Sequence, residues 1–149
     1  MKGILKWPLI VAAVVVVLRV VVERMGVANS VSNYFSVVAL HLVIAPLYFA
    51  IRIGTSGIRN PYITQIKLVA LYVVLTRAMI LPTYWLARIY GWQQDRFGGL
   101  SGATPLVGYV AIPLGTAVAW IVMSLVVGSV LGVAVIFVMS RRPPKLGGQ

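Results

Sequence analysis

The chain has 149 residues, of which 60% are apolar and only 10% are charged. A soluble domain carries about 25% charged residues, so this composition excludes a soluble globular protein and indicates an integral membrane protein. Thirteen basic residues stand against two acidic ones, giving a net charge of +11, and the lack of cysteine excludes disulfides and thiolate metal sites. Most basic residues lie between apolar stretches, which is typical of membrane orientation and not of nucleic-acid binding.

The first apolar stretch predicts a transmembrane helix over about residues 7–25. Lipid forces the backbone to form its hydrogen bonds within the segment, which overrides the weak helix propensity of its valines. A basic start and the small residues at 26–28 resemble a cleaved signal peptide. Arg19 and Glu23 interrupt the apolar region, so we expect a retained first helix.

Two further apolar stretches predict the second and third membrane-spanning helices, joined by short loops. The second helix covers about residues 33–52, with a bend expected at Pro46. The third covers about residues 63–90, with a kink expected at Pro82.

The last apolar stretch runs from Pro105 to Ser140, which is longer than one span and too short for two spans with a turn. We interpret it as an interfacial or kinked prelude over 105–112, followed by a fourth helix over about 113–140. The predicted fold is therefore an all-α integral membrane protein, a four-transmembrane-helix bundle that forms a single domain over residues 1–149.

The distribution of basic residues predicts that both chain ends lie on the cytoplasmic side, because cytoplasmic loops are enriched in Lys and Arg. With four spans, the basic residues divide eight to three in favour of that side. The cytoplasmic ones are Lys2, Lys6, Arg52, Arg59, Lys67, Arg141, Arg142 and Lys145, and the outer ones are Arg24, Arg88 and Arg96. We therefore expect a multi-pass protein of the plasma (inner) membrane.

Two arginines, Arg19 and Arg77, fall away from the ends of predicted spans, where a charge costs at least about 2.5 kcal/mol and therefore indicates a functional site. A helical rise of about 1.5 Å per residue places Arg19, Arg77 and His41 at similar depth in the outer half of the bilayer. Glu23 follows Arg19 by one turn on the same helix face, so we expect it to be the counter-ion.

Polar residues recur on one face of the second and third helices, which predicts that both faces point into the bundle. The stripe on helix two consists of Tyr34, Val38, His41, Ala45, Tyr48 and Arg52, and the stripe on helix three consists of Arg77, Tyr84 and Arg88. We expect the two stripes to face each other.

This polar layer has three interpretations. It is a buried network of ion pairs and hydrogen bonds that fixes helix register, or its arginines extend to lipid phosphates. Alternatively, Arg19 and Arg77 share one nearby acid, and the excess positive charge holds an anionic headgroup, a quinone-type oxygen or a carboxylate.

We expect no metal site and no cofactor. His41 is the only histidine, and a haem bound to it would need Met79 or a second subunit as the other axial ligand.

A row of small residues on the fourth helix predicts close helix packing. Ser124, Gly128 and Gly132 recur at intervals of four, which is a small-xxx-small pattern containing a GxxxG motif. We call these three residues the packing ridge, and we favour a partner helix from the same chain over a neighbouring chain.

Sequence motifs for phosphate-binding loops, serine hydrolases, zinc proteases and carboxylate pairs are absent from the chain. Glu23-Arg24 followed by Asn29 and Asn33 resembles the basic, Asn-containing segment of the membrane-associated eicosanoid and glutathione metabolism transferases, without that segment's histidine portion. The resemblance implies a small four-helix membrane enzyme of glutathione-transferase-like type.

Our main expectation is a non-enzymatic protein that binds membrane lipids and no nucleic acid. It is either a structural or accessory subunit of a membrane complex, with self-association or other membrane subunits as partners, or a binder of an anionic lipid-like ligand at the intramembrane Arg/His layer.

Overall fold

A computed structural model describes residues 2–26, 36–92 and 94–141, of which 84% are helical and none forms a strand. Among these residues, four helices are long and apolar enough to cross a membrane, as predicted from composition. We number them α1 (Lys2–Arg24), α2 (Val37–Gly54), α3 (Pro61–Ile89) and α4 (Val107–Ser140). A short 3₁₀ turn, Asp95–Phe97, lies in the loop between α3 and α4.

The helix bounds follow the predicted stretches with small differences. The predicted start of the second helix, 33–35, lies outside the described residues, as do Tyr34, Arg142 and Lys145 of the predicted stripe and basic tail. The segment interpreted as a prelude is helical and continues into α4. Helix α3 continues without interruption through Pro82.

Both α2 and α4 contain a π-helical turn just before a proline. In α2 the turn Leu40–Ile44 precedes Pro46, and in α4 the turn Val107–Ala111 precedes Pro113. The cap N–H after each turn donates to the carbonyl five residues earlier. A proline has no N–H, and its ring clashes with the carbonyl four residues before it, so the helix widens locally.

The carbonyl four residues before Pro113 has gained a different partner. Trp85 of α3 donates its indole N–H to the Tyr109 carbonyl oxygen, at 3.0 Å. The bond satisfies an acceptor that lost its helical donor, and it ties the C-terminal part of α3 to the start of α4.

The π turn in α2 also changes which residues face the core. A 3.6-residue period predicts that Tyr48 and Arg52 follow His41 on the inner face, whereas Phe49 and Ile53 are the ones that are fully buried. Tyr48 is half-buried and Arg52 is exposed. A π turn holds about one extra residue, and the inner face after it is therefore displaced by one position.

Packing is uneven among the four helices. The apolar windows of α2 and α3 are each 44% buried, against 22% for α4 and 6% for α1. The core consists of side chains such as Phe49, Leu68 and Tyr72, none more than 1% exposed. Helix α1 packs mainly against α3 and only lightly against α2, so it covers the bundle from one side.

Arg88 fastens the α3–α4 loop to the bundle. Its two terminal nitrogens donate to the carbonyls of Leu100 and Ala103, both at 2.8 Å, and its guanidinium lies 4.7 Å from the ring centroid of Tyr109. Gly108 leaves the room for this guanidinium, because a Cβ there would overlap it. The loop is thereby held against the C-terminal end of α3 and the start of α4.

Candidate functional site

Three arginines from different parts of the chain line one cavity of about 250 Å³ near the predicted outer end of the bundle. They are Arg19 of α1, Arg77 of α3 and Arg96 of the α3–α4 loop, and we call the space between them the arginine cavity. Tyr84 of α3 and Trp120 of α4 complete its aromatic wall. All four helices or their connections therefore contribute to this site.

Glu23 pairs with two of these arginines at once. Its Oε1 accepts from Arg19 Nε at 2.9 Å, and its Oε2 accepts from Arg96 Nη2 at 2.6 Å. The Glu23 side chain is only 2% exposed, and Gln94 donates to its backbone carbonyl at 3.1 Å. A single carboxylate therefore joins the end of α1 to a loop more than seventy residues away.

Arg96 remains a cation in this position. Burial lowers the pKa of its guanidinium and the Glu23 carboxylate opposes that shift. An arginine starts from a pKa above 12 and is not deprotonated in proteins. Arg96 therefore adds a positive charge to the cavity.

Arg77 is held by groups on two other helices. Its Nη2 lies 3.2 Å from His41 Nδ1, and its guanidinium lies 5.2 Å from the ring centroid of Trp120. A guanidinium can only donate, so Nδ1 accepts and the neutral imidazole carries its proton on Nε2. Tyr72 packs edge-on against the His41 ring, with the ring centroids 5.6 Å apart. His41 is fully buried and Arg77 is 6% exposed.

The arginine cavity carries more positive charge than its described side chains neutralise. Three guanidiniums line it, and Glu23 is the one carboxylate that contacts them within the described part of the chain, which leaves out the side chain of Asp95. In that same part, the buried Nε atoms of Arg77 and Arg96 have no hydrogen-bond partner. Several guanidinium groups around one confined space are suited to binding an oxyanion.

The structure brings together most of the polar residues singled out from the sequence, with a different pairing. One of the three interpretations had Arg77 share Glu23 with Arg19, whereas in the structure Arg96 takes that place and Arg77 contacts His41. The reason is that the loop folds inward over α1, which residue spacing along a helix does not reveal.

The two tyrosines of the predicted layer lie in different places. Tyr84 lines the arginine cavity and packs edge-on against Phe97, at 5.2 Å between ring centroids. Tyr48 lies away from the cavity, beside Trp7 and Ile44 at the junction of α1 and α2. Asn29 and Asn33, which carry the resemblance to the glutathione transferases, lie outside the described residues.

Sequence reasoning missed Arg96 and Trp120 as members of the site. Arg96 looked like an ordinary outer-loop residue, and Trp120 looked like one more apolar residue of a long span. The signal for Trp120 was its position four residues before Ser124, which places it on the same face as the packing ridge.

The packing ridge of α4 lies against α2 and α3 of the same chain. A Cβ built on Gly128 would lie 2.8 Å from Pro46 Cγ and 3.2 Å from Val69 Cγ1, and one built on Gly132 would overlap the Gln65 side chain. Gln65 donates its amide N–H to the Pro46 carbonyl at 3.0 Å. Small residues here allow three helices to meet closely.

No group of three or more His, Cys, Asp or Glu side chains that could hold a metal ion occurs in the ranges the structure describes. No protein-family model, curated protein or solved structure matches this chain. The fold and the four apolar helices indicate the class, a multi-pass helical membrane protein.

Proposed function

We propose that this protein is a plasma-membrane protein with both ends in the cytoplasm, and that it binds an anionic amphiphile through the arginine cavity. The observation that carries the proposal is the convergence of Arg19, Arg77 and Arg96 on one cavity, with Glu23 as the one contacting carboxylate among the described side chains. A bound phosphate or carboxylate would neutralise the remaining charge.

The unpaired donors favour a ligand over a purely structural network. A buried donor without a partner costs about 1–3 kcal/mol, and two of the arginines that line the cavity, Arg77 and Arg96, each have such a donor at Nε. An oxyanion supplies several acceptor lone pairs at once. A network that served only to fix helix register would gain stability by pairing these groups.

The size of the cavity also suits a headgroup. A water molecule occupies about 30 Å³ in the liquid, so about 250 Å³ has room for a phosphate or carboxylate together with some water. Trp120 and Tyr84 provide apolar walls, and contact with Trp120 helps to hold the Arg77 guanidinium in place.

The test is native mass spectrometry of the detergent-purified protein, beside thermal melts with phosphatidylglycerol or the neutral phosphatidylcholine. Wild type is expected to keep one phosphatidylglycerol and to be stabilised by about 2.7 kcal/mol at a hundredfold excess of lipid over Kd. Arg77→Gln and Arg96→Gln should lose both effects. Arg59→Gln, an exposed arginine between α2 and α3, should keep both.

Other outcomes would overturn the proposal. If wild type carries no bound anion and phosphatidylglycerol does not change its melting temperature, the result supports the structural network instead. Proteins that co-purify in fixed ratio support an accessory subunit, and glutathione conjugation supports the transferase alternative. Sizing and circular dichroism establish that each variant is folded, and Arg96→Gln leaves the His41 contact of Arg77 intact.

The orientation can be tested separately. Because the basic residues divide eight to three, reporter tags at Asn60 and after Gln149 should read cytoplasmic and a tag at Gly98 should read external. An external C-terminus would contradict the four-span topology.

A further inference from the structure

A second cavity, of about 200 Å³, lies between α1 and α2 and is apolar. Its walls include Trp7 and Val11 of α1, Leu40 and Ile44 of α2, and the ring of Tyr72. We call it the apolar cleft. Trp7 is 64% exposed and Ile44 is 55% exposed, so the cleft lies at the surface that would face lipid.

The apolar cleft lies next to the arginine cavity along the same two helices, α1 and α2. On α1, Val16 lines the cavity and Val11 lines the cleft, a separation of about 8 Å at 1.5 Å per residue. On α2, Val38 and Leu40 line the two spaces and are about 3 Å apart along the axis. The two spaces therefore lie one after the other along the junction of α1 and α2.

We infer that the cavity and the cleft hold one ligand, an amphiphile whose phosphate or carboxylate lies among the arginines and one of whose alkyl chains lies in the apolar cleft. This inference rests on the proposed function. Charge complementarity places the anionic end at Arg19, Arg77 and Arg96, and the apolar walls then receive the chain.

The dimensions favour one chain that extends from the arginine cavity toward Trp7. An apolar cavity of about 150 Å³ takes up one benzene, so a cleft of about 200 Å³ accepts one alkyl segment and not two side by side. Arg19 and Trp7 are twelve residues apart on α1, which corresponds to about 18 Å. A short-chain anion would fill the cavity without reaching Trp7.

The experiment uses full-length protein in detergent and compares hexadecyl phosphate, palmitate, hexadecanol and inorganic phosphate by native mass spectrometry. Comparing hexadecyl phosphate with palmitate shows whether the anionic group is a phosphate or a carboxylate. Val11→Phe fills the cleft, and Val14→Phe is the matched control, since Val14 is 50% exposed and does not line the cleft. Sizing establishes that both variants are folded.

We expect wild type to bind at least one of the two long-chain anions, and hexadecanol to bind at least tenfold more weakly. Val11→Phe should weaken long-chain binding at least tenfold and leave inorganic phosphate binding unchanged, and Val14→Phe should change neither. If inorganic phosphate binds and Val11→Phe does not weaken the binding of the long-chain anions, the cleft assignment is overturned and the proposed function stands. No anion binding of any kind would overturn both.

A second measurement locates the end of the chain. A bromine on the last carbon of the amphiphile should quench Trp7 fluorescence at one equivalent, and Trp7→Phe should remove that quenching. A bromine beside the headgroup should quench Trp120 instead. Identical quenching by the two probes would contradict an extended chain in the cleft.

Discussion

The face of α4 that points into the bundle divides the molecule into two contrasting regions. Around Gly128 and Gly132 the helices meet closely and the Gln65 amide bonds a backbone carbonyl. About two to three turns away, around Trp120, the same face borders the arginine cavity. Side-chain size along one helix face therefore decides where the helices pack closely and where they leave room for a ligand.

His41 lies between these two regions and belongs to both. Its carbonyl oxygen would lie 3.3 Å from a Cβ on Gly128, while its ring accepts from Arg77 at 3.2 Å. The close packing of α2 on α4 therefore sets the position of the group that orients Arg77. Substitutions in the closely packed region and in the arginine cavity can therefore separate what each region contributes to stability and to ligand binding.

The largest effect is expected at Glu23. Replacing it with Gln removes the charge that pairs with Arg19 and Arg96, and breaking a buried pair costs about 3 kcal/mol. Thermal melts should show early unfolding, and the loop around Arg96 should become more sensitive to protease.

The same variant sharpens the ligand proposal. Glu23→Gln removes a negative charge beside the cavity, so the folded fraction should bind phosphatidylglycerol more tightly than wild type does. Arg59→Gln serves as the control for a general charge effect. If Glu23→Gln melts at the same temperature as wild type, the carboxylate does not stabilise the contact between α1 and the loop.

The next effect concerns the closed region. Gly128→Leu places a large side chain against Pro46 and Val69, and overpacking of this kind costs about 1–3 kcal/mol. Val127→Leu changes the neighbouring residue, which is 38% exposed, and should be tolerated. If Gly128→Leu and Val127→Leu melt at the same temperature, close packing at the ridge does not contribute to stability.

The smallest effect is expected at Trp85. Trp85→Phe removes the donor to the Tyr109 carbonyl, and the loss of one hydrogen bond costs about 1 kcal/mol. Trp7→Phe is the control, because it changes an exposed tryptophan on α1. If Trp85→Phe and Trp7→Phe melt alike, the π turn before Pro113 does not depend on the indole.

The sequence by itself determined the four long apolar helices, because each apolar stretch must form its backbone hydrogen bonds internally in lipid. It also determined the Arg19–Glu23 pair, since residues four apart on a helix are neighbours whatever surrounds them. The orientation of the chain and its membrane remain predictions from charge distribution.

Only the tertiary structure decided which residues share the site. Arg96 reaches Glu23 because Arg88 holds the α3–α4 loop over the bundle, and Trp120 reaches Arg77 because α4 packs close to α2 and α3. The π turn before Pro46 moved the inner face from Tyr48 to Phe49. Periodicity describes one straight helix at a time, whereas these contacts depend on how helices widen, cross and receive a returning loop.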